Sequence, residues 1–154
     1  MRTDSHTGHT TTSSSVMQRL SRAFIAGRYR TTVQAMRLEA SESLEQVIAD
    51  PSAELDADFA AEIEHMLATG GAPYMRFDQT LMPLMQARFG LGKSQLARLS
   101  AAERKQLGKT CNNCSVVAQC WQALRSNESA QVCSTFCPNA GTFERLADTL
   151  PQAS

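Results

Sequence analysis

All five cysteines of the 154-residue chain fall between Cys111 and Cys137, in the order Cys-x2-Cys-x5-Cys-x12-Cys-x3-Cys, with Pro138 directly after the last. Sulfur confined to one stretch forces that stretch to fold around its own cysteines. In a reducing compartment such a cluster reads as a metal site before it reads as disulfides. The odd count agrees, since pairing would leave one thiol over, whereas four plus one suits a tetrahedral or cubane centre with a spare. Local signals bring the sulfurs toward one another. Ser115 is placed to cap a helix over 116–125, leaving Cys114 just outside its start and Cys120 in its second turn. Asn139 is placed to cap a helix over 140–149, with Cys137 just before it. Free amides at helix starts hydrogen-bond to sulfur and lower thiol pKa values. With the Cys111–Cys114 turn, these starts supply four sulfurs for one centre, and Cys133 lies four residues from Cys137 on the return from "RSNESAQV".

The spacing also bears on the metal. A zinc ribbon or finger carries two Cys-x2-Cys pairs, or cysteine and histidine pairs, on tight turns. Here there is one such pair; the other intervals are a helix turn and a long loop ending in Cys-Pro, a pattern closer to iron–sulfur ligation. We read an iron–sulfur cluster, of the 4Fe–4S type, ahead of structural zinc. A metal-free protein with oxidisable cysteines, Cys133 and Cys137 being the close pair most able to form a disulfide, is the third reading.

The segment "CNNCSVVAQCWQAL" resembles the Cys-x2-Cys-x-Val-x3-Cys stretch of the WhiB-like iron–sulfur regulators, bacterial proteins whose cluster answers to redox conditions or nitric oxide. In that family the fourth cysteine precedes the trio, and no cysteine precedes Cys111 here. A broader likeness spans roughly Leu81 to Leu150. Short helices, the Cys-x2-Cys-x5-Cys trio and then "FCPNA" before a final helix are similar to a family of small bacterial cysteine-rich domains of unknown function. That resemblance implies Cys111, Cys114, Cys120 and Cys137 as ligands, with Cys133 a possible alternate, and it implies no activity.

The rest of the chain predicts an all-α fold. Aromatic residues make up only 6%, so Leu, Ala, Met, Val and Ile must build the core, a composition that favours helices over a β-sandwich. Met17, Leu20, Phe24, Val33, Met36, Leu44, Val47 and Ile48 recur at three- and four-residue steps, predicting a long helix from Ser15 to Pro51, bent at Gly27. A second helix is expected to begin at Ser52 and bury Leu55, Phe59, Ile63 and Met66 before "TGG" at 69–71 ends it. A third is expected from Thr80, since Pro83 is easiest to place in a first turn. Ser100 and Glu103 form a capping box for a helix running toward Lys109. The domain reading is a disordered Thr/Ser-rich tail over 1–14, a helical region over 15–71 and a cysteine-rich domain over 72–154.

Net charge is zero, but the charges are sorted along the chain. Residues 1–37 hold six arginines against one acid, and residues 38–67 hold nine acids with no Lys or Arg. The arginine-bearing helix is read as a bundle or homo-oligomer contact, or a docking surface for a protein partner. It is preferred to a membrane helix because its apolar stripe lacks tryptophan. No basic excess of the whole chain points to nucleic acid. His6 and His9 sit in the tail without fixed geometry, and His65 stands alone among acids, so neither they nor any paired carboxylates suggest catalysis. "GLGKS" at 90–94 lacks the phosphate-loop spacing. With no long apolar run, the expected location is the cytoplasm.

Overall fold

A computed structural model describes residues 11–149, with side chains from Met17 onward. Among these residues the chain is all-helical, in the order α1 (Thr11–Glu39), α2 (Ser41–Ala49), α3 (Ala57–Ala68), α4 (Phe77–Arg88), α5 (Lys93–Leu96), α6 (Ala101–Asn112), α7 (Val117–Arg125), α8 (Ala130–Ser134) and α9 (Ala140–Asp148). The expected tail lies outside the described residues up to residue 10, and Thr11–Ser14 already belong to α1.

The first long helix breaks at Ala40, not at Gly27. Gly27 costs some helix propensity but leaves the hydrogen-bond ladder intact, while at Ala40 the backbone leaves the helical region (φ −143°, ψ 49°). The turn there lets Leu44 and Ile48, both fully buried, point into the core. Hydrogen bonds carry across the bend, Ala40 N–H to Met36 O at 2.9 Å and Leu44 N–H to Ala40 O at 3.2 Å. The first half of α1 stays unpacked: every described side chain from Met17 to Ile25 is exposed. Its second half lies on α3, with Tyr29 and Phe59 rings 5.6 Å apart and Arg30 3.8 Å from Glu62.

The N-cap of α3 lies four residues later than the expected Ser52. Ser52 is occupied in a turn, where its N–H and hydroxyl both donate to Asp50 Oδ1 at 3.0 and 2.6 Å. Asp56 takes the capping role by accepting from Asp58 N–H at 2.9 Å. Ile63 and Met66 are buried and Leu55 and Phe59 half-buried against them. The helix ends through Gly70 at φ +70°, a conformation in which glycine carries no Cβ penalty.

Helix α4 starts at Phe77, which places Pro83 in its interior rather than its first turn. The proline cannot donate to the Gln79 carbonyl and so costs the helix one bond. Three arrangements offset this. Phe77, Leu81 and Met85 are buried along one face; the Arg76 carbonyl accepts from Gln79 and Thr80 N–H; and the Asp78 N–H, free at a helix start, donates to Asn112 Oδ1 at 3.0 Å. The capping box of α6 is present as expected, with Ser100 N–H donating to Glu103 Oε2 at 2.8 Å and Glu103 N–H to Ser100 Oγ at 3.2 Å.

α3 packs on α7, α4 on α6 and α7, and α2 on α4. One apolar cluster therefore runs from Val33 through Ile63, Leu81 and Trp121 to Leu146. It is continuous across the expected boundary between residues 71 and 72.

Candidate metal centre

Four short segments meet where the cysteines lie. Cys111 occupies the last turn of α6, and the chain then reverses so that Cys114 N–H donates to Cys111 O at 3.1 Å. Cys120 projects from α7, whose other buried residues Val117, Trp121 and Leu124 fix its rotation. Cys137 follows α8, its N–H bonded to Cys133 O at 3.0 Å, and its own carbonyl accepts from Ala140 N–H at 3.1 Å to begin α9. Cys111, Cys114, Cys120 and Cys137 line one cavity, each half-buried and free of disulfide. Leu81 and Met85 of α4, Phe136 and Phe143 complete its largely apolar wall.

Cys133 is outside this wall. It is fully buried in the core on α8 and not exposed in a return loop. Trp121, next in sequence to Cys120, turns the other way and packs in the core, where Arg125 lies over its ring at 5.0 Å. His65 is exposed on α3. His6 and His9 lie outside the described residues.

Two expected caps are absent. The N-cap position of α7 is Val116, not Ser115, and no side chain caps it. Asn139 stands at the N-cap of α9 but makes no capping bond. Its Nδ2 instead donates to Leu107 O of α6 at 3.1 Å, with both groups buried. The asparagine therefore ties the Cys137 turn to the helix that carries Cys111. A spacing rule within one segment cannot anticipate this, because the partner is 32 residues away.

The electrostatics of Cys137 reverse the expectation from a helix start, and Cys111 and Cys120 are raised as well. Burial, followed by repulsion from the Cys114 and Cys137 thiolates, pushes Cys111 up to about 12. Burial and then the charges of Cys137, Cys111 and Cys114 raise Cys120 further. Cys137 is raised by burial, while the amides of Asn139 and Ala140 pull in the opposite direction. The helix-start amides thus act as expected on Cys137, but loss of water outweighs them. These couplings are those of sulfurs sharing one enclosure, and a cation there inverts them by favouring thiolate.

The donor set can be tested against the candidate groups. Among the described residues no three His, Cys, Asp or Glu side chains are set closely enough to grip a single metal ion. A tetrahedral zinc, with bonds of about 2.3 Å, needs its sulfurs within about 4 Å of one another. A cubane cluster spreads four thiolates over four irons and accepts a wider ring.

Compared with known proteins, the chain matches no family model, no curated protein and no solved structure. Among the described residues no helix is long and apolar enough to cross a membrane.

Proposed function

We propose that Cys111, Cys114, Cys120 and Cys137 hold an iron–sulfur cluster of the 4Fe–4S type, and that the protein acts as a redox-linked sensor or electron carrier. The observation that carries this reading is the single cavity lined by those four free thiols, from which the fifth cysteine is left out. A bound cluster supplies one-electron chemistry. The protein's own groups set its surroundings. Leu81, Met85, Phe136 and Phe143 exclude water, the Asn139 and Ala140 amides favour the thiolate of Cys137 against its burial, and Asn139 holds α6 against the Cys137 turn.

Anaerobic purification with iron, sulfide and zinc assays on one sample tests the proposal. The expected product is brown, with broad visible absorption and equal iron and sulfide. A colourless protein with one zinc per chain, or a folded metal-free protein, overturns it. Cys120→Ser should abolish iron binding and Cys133→Ser should retain it; equal losses overturn the choice of ligands.

A further inference from the structure

Helix α1 is amphipathic on two sides, and only one of them is used. Tyr29, Val33 and Met36 face the body and are buried or half-buried. On the opposite side Met17, Leu20, Phe24, Gly27, Thr31, Gln34 and Leu38 follow one another at alternating steps of three and four, the seam spacing of paired helices. Met17 is 65%, Leu20 61%, Phe24 68% and Leu38 71% exposed. These four account for more than half of the large apolar side chains left in water among the described residues. The seam runs for about 30 Å along the helix. An isolated helix of this kind is marginal in water, so its exposed front half lacks the packing that stabilises helices in proteins.

We propose that this seam is the interface of a homodimer in which the α1 helices of two copies pack antiparallel. Three observations select that occupant. First, the seam is self-complementary in size. Bulky residues lie at its ends, and Gly27 and Thr31 lie near its middle. An added Cβ at Gly27 would touch nothing in its own chain, so the glycine leaves room for another helix. Second, the four large side chains expose roughly 500 Å² per copy, or about 1,000 Å² for a pair, which meets the lower threshold for a biological interface before the flanking residues are added. Third, the two ends differ in charge and shape. The front half carries Arg19, Arg22 and Arg28, while the rear opens into a groove lined by Arg37, Leu38, Glu45 and the 89%-exposed Tyr74, and with Glu39 and Glu42, next in sequence to lining residues, acids outnumber Arg37 there by three to one. Antiparallel pairing lays the basic end of one copy on the acidic end of the other; parallel pairing stacks like on like. The inference is independent of any metal.

Sedimentation equilibrium on the full chain, without lipid, tests it. The wild type should be a micromolar dimer. Met17→Glu and Leu38→Lys should each weaken the dimer at least tenfold, with the thermal midpoint of the body unchanged because both positions are exposed. Residues 17 and 38 meet only in the antiparallel arrangement, so the double variant should regain dimerisation. A wild type that stays monomeric at hundreds of micromolar, a dimer indifferent to Met17→Glu, or a double variant weaker than either single change overturns the proposal. So does a monomer that floats with phosphatidylglycerol vesicles, which would assign the seam to a lipid surface.

Discussion

The indole Nε1–H of Trp121 donates to the main-chain carbonyl of Ile48 across 3.2 Å. Ile48 lies in the last turn of α2, where carbonyls have no partner within the helix. Arg125, one turn further along α7, donates to Ala53 O at 3.1 Å. The helix bearing Cys120 is therefore tied to the end of α2 and to the turn that follows it by two bonds donated from its own side chains.

Replacing Trp121 with Phe keeps most of the packing but leaves the Ile48 carbonyl buried without a donor. A loss of about 1–3 kcal/mol is expected, with Trp121→Ala costing more, about 3–5 kcal/mol. Urea unfolding followed by circular dichroism measures both. An unchanged midpoint in Trp121→Phe would show that water replaces the indole.

Asn139 makes a separate prediction. Asn139→Ala removes the buried bond to Leu107 O and should cost about 1–3 kcal/mol. Asn139→Asp should cost more, because a carboxylate cannot donate and would face the carbonyl with its charge. Thermal melts of the two variants give the order. In anaerobic preparations both should also retain less iron than wild type, since the bond holds the Cys137 turn to α6.

Asp78 introduces a pH dependence. Its carboxylate is held below the usual range mainly by hydrogen bonds from Arg76, whose Nε and Nη2 donate at 3.0 and 2.9 Å, with burial opposing. A depressed folded-state value means the contribution is present above the unfolded carboxyl value of about 3.9 and is lost as pH falls through that value and below. Arg76 is largely exposed and screened, so about 0.5–1 kcal/mol is at stake. Unfolding free energies at pH 7 and pH 3 should differ less in Asp78→Asn than in wild type; equal slopes would remove Asp78 from the acid response.

Gly71 is needed for space rather than for backbone freedom. Its N–H donates to Met66 O at 2.8 Å and its carbonyl accepts from Arg37 Nη1 at 3.0 Å. A Cβ added there would come within 2.9 Å of Met66 Cγ and 3.0 Å of Met66 O. Gly71→Ala should therefore cost about 1–3 kcal/mol and loosen the contact between α1 and the exit of α3. A neutral result by denaturant titration would mean the turn shifts without strain.

The parts of this fold that are legible from sequence are those decided within a few residues. The Ser100–Glu103 box and the glycine exit after α3 were readable because donor and acceptor sit one turn apart. Ser52 and Ser115 match the same local rule but were drawn elsewhere or left unused, as Asp50 competes for Ser52 and nothing bonds Ser115 at the start of α7. A rule local to Pro83 misplaces it because the support for its helix comes from Asn112, 34 residues beyond the Asp78 N–H that it accepts from. For the site, spacing was enough to pick the cysteines that share a cavity. It is not enough to give the direction in which Cys111, Cys120 and Cys137 shift, since burial depends on α4 and α9, which contribute Leu81, Met85 and Phe143 to the wall.

Cys133 has no solvent exposure at all, and its thiol is raised chiefly by that burial. An alkylating reagent can reach it only when the helices around α8 come apart. The rate at which it is modified under native conditions thus reports how often that region opens, and the chain carries an internal gauge of its own local unfolding.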